Sequence, residues 1–103
     1  MSTAEFQAVA RVDDVPPGTV KQVAVGEEEI AIANVDGQFY ALAGHCLHLQ
    51  GPLGEGRLHG EVLSCPWHGW QYDVCTGRNV FDLAIQLRTY EVRVEDGKIA
   101  VAV

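Results

Sequence analysis

Four residues of metal-ligand type fall in two short matched groups, and nothing else in the chain restricts its folding as strongly. Cys46-Leu47-His48 is followed, after sixteen residues, by Cys65-Pro66-Trp67-His68. Each of two turns therefore offers one thiolate and one imidazole. Such a set can close a tetrahedral zinc site, or hold a [2Fe-2S] cluster with two cysteines on one iron and two histidines on the other. The spacing favours iron. Zinc fingers pair cysteine with cysteine and histidine with histidine along a ββα unit, whereas here each loop is mixed and no helix-forming stretch follows the second pair. Cys75 makes the cysteine count three, an odd number in a chain without an export signal, which fits metal ligation or free thiols better than a disulfide framework.

The rest of the chain reads as short β-strands punctuated by glycine and proline. Val20 to Val25 alternates, Ile30 to Val35 is rich in β-branched residues, and Phe39 to Leu42 follows Asp36-Gly37, a dipeptide that closes two-residue hairpins. Tyr90, Val92 and Val94 alternate with charged residues, and Asp96-Gly97 leads into Ile99, Val101 and Val103, which reads as a second hairpin. Pro16-Pro17-Gly18 makes a turn. Between these flanks, residues 44–78 hold all four histidines, all three cysteines, both tryptophans and seven of the eleven glycines, a concentration that points to loops wrapped around a bound group. The expected architecture is all-β, with a base from both ends of the chain and a ligand-bearing lobe in the middle. A length of 103 residues predicts one domain. The net charge of -7 disfavours nucleic acid and anionic lipid and suits steering toward a basic protein surface. No apolar run approaches the ~20 residues of a membrane-spanning helix. The N-terminus carries neither a secretory signal nor a lipidation motif, so the cytoplasm is expected.

The run CxH, sixteen residues, then CPWHGWQYDVCTG resembles the signature of Rieske ferredoxins and of the Rieske domains in ring-hydroxylating oxygenases. The likeness extends over VPPGTVKQVAVGEEEIAIANVDGQFYALAGHC before it and RTYEVRVEDGKIAVAV after it. The resemblance implies a Rieske fold with antiparallel sheets in a sandwich-like base and a small cluster-binding lobe at about 44–78, in a single domain over 1–103. It implies one Rieske [2Fe-2S] cluster, with Cys46 and Cys65 on the buried iron and His48 and His68 on the outer iron. It further implies a monomeric one-electron carrier between a flavin-dependent reductase and a terminal oxygenase, both met transiently. A small subunit of a nitrite reductase is the alternative in the same family, and a zinc or non-redox module is the alternative outside it. No mononuclear iron triad, nucleotide loop or activated nucleophile is visible, so the chain alone is not expected to be an enzyme.

The resemblance also sorts the neighbouring residues. His45 and His59 fall outside the spacing, and Cys75 reads as a half-buried thiol near the cluster. Leu47, Leu49, Trp67 and Trp70 are candidates for an apolar rim or for core packing, and Gly51-Pro52-Leu53-Gly54 for a turn over the cluster. High-potential members carry an extra disulfide and a serine where this chain has Gly51, Trp67 and Trp70, which implies a potential toward the low end of the roughly -150 to +300 mV Rieske span. Tyr72 departs from that, matching a tyrosine of high-potential members. The segment from Arg78 to Gln86 lacks the prolines the family often places there, so its form is open.

Overall fold

The structure, a computed structural model, describes residues 6–45, 52–66 and 69–102. In chain order its strands are β1 (Phe6–Arg11), β2 (Val20–Val25), β3 (Glu28–Val35), β4 (Gln38–Ala43), β5 (Arg57–His59), β6 (Val62–Ser64), β7 (Gln71–Asp73), β8 (Thr89–Tyr90), β9 (Val92–Glu95) and β10 (Lys98–Ala102). They form three antiparallel sheets, ordered β1-β10-β9, β2-β3-β4-β8 and β5-β6-β7. The fold is all-β, as the punctuation of the sequence requires.

Both expected hairpins are present, and their turns have the chemistry their dipeptides imply. Asp36 and Gly37 have φ of 51° and 92°, Asp96 and Gly97 of 52° and 74°. Two consecutive positive φ angles give the turn whose twist matches the flanking strands. Asn34, buried just before the first turn, accepts the Gly37 N–H on Oδ1 at 2.7 Å and donates from Nδ2 to the Val15 carbonyl at 2.7 Å. That second bond ties the Pro16-Pro17-Gly18 turn, closed by Thr19 N–H to the Pro16 carbonyl at 3.1 Å, to the sheet.

β3 explains how the two halves of the molecule are joined. It lies between β2 and β4, and its residues Ile30 to Asn34 are all buried. Because side chains alternate across a strand, Ile30 and Ile32 enter a core with Val15, Val23, Ala41, Ile99 and Val101, under the sheet made by the chain ends. Ala31 and Ala33 enter the other core, with Leu42, Leu53, Leu63, Cys65 and Tyr72, under the lobe. The four-stranded sheet is thus a middle layer with a core on each face, and the small alanines let the lobe's larger side chains come close.

Two features differ from the sequence reading. The N-terminal residues form β1, paired to β10 with a bulge between Ala8 and Ala10. The middle of the chain is not loops alone, since β5, β6 and β7 make a sheet of three-residue strands beneath them.

Candidate metal centre

Each half of the Cys/His motif is carried on a loop whose base is closed by backbone pairing. The first loop leaves β4 at Gly44 and returns at Leu53, whose N–H donates to the Gly44 carbonyl at 2.9 Å, while His45 and Pro52 form a bridge. Gln22, reaching from β2, holds both ends of this loop with one carboxamide. Its Nε2 donates to the Gly44 carbonyl at 2.9 Å and its Oε1 accepts the Gly54 N–H at 2.7 Å. Gly54 packs so tightly on the Gln22 backbone that a Cβ there would collide with it, and a Cβ on Gly56 would strike the Ser64 carbonyl. Glycine is needed at both places for this close approach. Leu53, fully buried at the start of a single 3-10 turn over Leu53–Glu55, anchors the returning chain in the lobe-side core. The 52–54 segment therefore roots the loop.

The second loop leaves β6 at Cys65. The Cys65 N–H donates to the Trp70 carbonyl at 2.7 Å, closing residues 66–69, with Gly69 at φ 70°. Cys65 is only 3 % exposed and shares the core that contains Leu53, the root of the first loop. The two loops therefore spring from one apolar floor. Cys46, His48 and His68 lie outside the described residues, as do Leu47, Leu49, Gly51 and Trp67. Cys65 fits a buried thiolate ligand: it is in no disulfide, and its surroundings exclude water. Among the described residues no group of three or more His, Cys, Asp or Glu converges on a metal site.

Of the neighbouring residues, the two histidines are placed elsewhere, whereas Tyr72 and Trp70 share the core of Cys65. His45 Nε2 sits 3.1 Å from Glu29 Oε2, directed to the base sheet. His59 is exposed in β5. Tyr72 is fully buried in β7, opposite Leu63, and Trp70 packs on the edge of the same core.

Cys75 requires a correction. It is half-buried as expected, but it sits beyond the Asp73 end of β7, the end paired with Val62, whereas the Cys65 loop is at the Ser64–Gln71 end. Three residues of strand, roughly 10 Å, separate these ends. There its thiol donates to Glu61 Oε1 at 3.5 Å and its N–H to Asp73 Oδ1 at 2.8 Å. Burial, then the neighbouring Glu61, pushes the thiol above its ordinary pKa. A thiol so placed is a poor nucleophile.

The proline-free segment after Gly77 is firmly ordered by its own side chains. Asn79, 2 % exposed, accepts the N–H groups of Phe81 and Asp82 on Oδ1 at 2.8 and 3.0 Å, and Asp82 Oδ1 accepts the Ala84 N–H at 3.0 Å. The Val80 N–H donates to the Gln71 carbonyl at 3.0 Å, so the segment lies against the start of β7, next to Trp70 where the second loop returns. Asparagine and aspartate hold the turn that prolines would otherwise stiffen. The sequence reading gave no sign of this arrangement, although Asn79 and Asp82 three residues apart are the residue types that build such turns.

Comparison with known proteins agrees with this geometry. The family model described as Rieske [2Fe-2S] domain matches residues 5–91. Ferredoxin CarAc of Metapseudomonas resinovorans is 38% identical over 96 residues, covering 91% of this chain and 90% of that protein. A chain from a solved complex of reduced oxygenase and oxidized ferredoxin in carbazole 1,9a-dioxygenase superposes with a TM-score of 0.86 at 36% identity, covering 97% of this chain and 94% of that one. The Sphingomonas yanoikuyae B1 ferredoxin superposes with a TM-score of 0.87 at 29% identity, covering 96% and 99%.

Proposed function

The chain belongs to the Rieske [2Fe-2S] domain family and is a ferredoxin-type electron carrier rather than a catalytic enzyme, and on that premise we propose that Cys46, His48, Cys65 and His68 hold its cluster. The protein then acts as a single domain over residues 1–103, with the ligand-bearing lobe at about 44–78. It is a cytoplasmic monomer that takes electrons from a flavin-dependent reductase and delivers them to a terminal ring-hydroxylating oxygenase. The observation that carries this reading is the 38% identity to a ferredoxin over nine-tenths of both chains. The complex of oxygenase and ferredoxin in carbazole 1,9a-dioxygenase supports the choice of acceptor. No helix among the described residues is long and apolar enough to cross a membrane.

A Rieske cluster supplies one-electron chemistry at a potential raised above that of four-cysteine clusters, because two neutral imidazoles replace two thiolates. The chain's own groups do the rest. The apolar floor around Cys65 keeps water from its sulfur, and backbone bonds at Gly44–Leu53 and Cys65–Trp70 fix the described ends of the two ligand-bearing segments. Tyr72 and Leu63 pack beneath the second loop and fix its origin.

Electron paramagnetic resonance of the dithionite-reduced protein at low temperature tests the assignment. A rhombic spin-half signal with the low average g-value of nitrogen-ligated clusters is expected, and His68→Ala is expected to abolish it. Silence in a sample shown to retain metal points to zinc and rejects the reading.

A further inference from the structure

Four large apolar side chains are exposed among the described residues, and three of them, Val80, Phe81 and Leu83, belong to the one segment that is bonded to the start of β7, where the second ligand loop returns. Phe81 is 76 % and Leu83 64 % exposed. The fourth, Val94, is on β9 in another sheet. Apolar groups gathered in one place mark interaction surfaces more often than scattered ones do.

The loop presents these side chains rigidly. Asn79 is buried with its amide oxygen fully committed to the N–H groups of Phe81 and Asp82, and its own N–H donates to the Ile85 carbonyl at 2.8 Å. A buried polar side chain thus fixes a turn whose apolar tips point away from the core. A shallow cavity of about 270 Å³ lies between Trp70, Asn79, Phe81, Asp82 and Ile85. A preorganised surface of this kind loses little conformational freedom on docking.

We propose that Phe81 and Leu83 are the anchors by which this protein docks on its terminal oxygenase, with the partner seated beside the Cys65 loop. This rests on the electron-carrier reading above. Electron tunnelling falls steeply with distance, so a redox partner must touch the surface next to the ligand loops. The Val80 bond to the Gln71 carbonyl and the Cys65 bond to the Trp70 carbonyl tie this patch to one of them. A second copy of a chain with net charge -7 would be repelled as it approached. The exposed acids Glu27, Glu28 and Glu29 lie at the β2–β3 end of the four-stranded sheet, where Glu29 meets His45 at the start of the first loop, and they favour a partner that carries cations. A ferredoxin 36% identical to this chain occurs in complex with an oxygenase, which selects the oxygenase over the reductase.

The test is calorimetric titration of the oxidised holoprotein into the terminal oxygenase of carbazole 1,9a-dioxygenase, with the flavin-dependent reductase of that system titrated in parallel. The proteins compared are the unchanged chain, Phe81→Ser/Leu83→Ser, and Val94→Ser. The double variant is expected to bind the oxygenase about tenfold more weakly or worse. Val94→Ser is expected to match the unchanged chain, with the resonance spectrum and potential the same in all three. Equal affinity of the double variant and the unchanged chain overturns the proposal. So does a loss confined to the reductase, or failure of the unchanged holoprotein to bind the oxygenase. An altered resonance spectrum in the double variant also overturns it, because the loop would then be a cover for the cluster. Absence of a Rieske signal from the unchanged chain is a separate result, and it rejects the electron-carrier reading itself.

Discussion

Replacing Gln22 with leucine removes both side-chain bonds that hold the ends of the first ligand loop. The change keeps a side chain of similar bulk on β2, so the packing against Gly54 is largely retained. The Gly44 carbonyl and the Gly54 N–H, bonded at 2.9 and 2.7 Å in the structure, lose those partners. A net hydrogen bond contributes about 1 kcal/mol, and a donor or acceptor left unsatisfied when enclosed costs about 1–3 kcal/mol. Gln22 is half-buried, and the Gly44 carbonyl keeps the Leu53 N–H, so the lower part of that range applies, about 2–4 kcal/mol in total. For a domain of this size each kcal/mol moves the melting temperature by about 4–8 °C, which gives a fall of roughly 8–32 °C. The loss is local to the loop. Bleaching of the visible cluster absorbance should therefore precede loss of the β-sheet circular dichroism in the variant, whereas the two coincide in the unchanged protein. Gln22→Glu should also be unstable, because it keeps the acceptor for Gly54 but sets a carboxylate oxygen against the Gly44 carbonyl. A melting temperature within about 2 °C of the unchanged protein for Gln22→Leu, with coincident bleaching and unfolding, would refute the reasoning.

Two further outcomes follow from other parts of the fold. Ala33→Leu puts three extra carbons into a fully closed site on the lobe side of β3 and should destabilise by about 1–3 kcal/mol, measured by urea unfolding, with the lobe and its cluster affected before the opposite core. The raised Cys75 pKa means that less thiolate is present at a given pH than for a free cysteine, so iodoacetamide should label it slowly at pH 8 and faster as pH rises. Glu61→Gln removes the negative charge that helps to hold the proton on while leaving an acceptor oxygen, and should therefore speed labelling at fixed pH. An unchanged rate by mass spectrometry would show that Glu61 has no part in it.

The parts of this protein that a reader of sequence can see are those encoded locally. The Asp36-Gly37 and Asp96-Gly97 hairpins carry their turn, their register and their strands within sixteen and eleven residues respectively. β1 is invisible because Phe6 to Arg11 alternates weakly and becomes a strand only by pairing with β10 at the other end of the chain. β5, β6 and β7 are too short to show a period. At the site, the spacing singles out Cys65 but says nothing of the apolar floor in which the fold sets it. The Gln22 clamp could not be foreseen, since its two partners lie 22 and 32 residues away. Cys75 misled for the opposite reason: it is ten residues from Cys65 in sequence, but β7 runs back along β6 and carries it to the far end of the sheet.

β3 has a consequence for how such a protein changes over evolutionary time. Adjacent residues on one strand answer to different demands: Ile30 and Ile32 to the persistence of the scaffold, Ala31 and Ala33 to the seating of the lobe. A mutation at one parity of position is largely hidden from the other. A lineage can therefore retune what the lobe carries, or harden the scaffold against heat, through neighbouring codons without trading one property against the other. The same parity offers a designer two independent dials on a single strand.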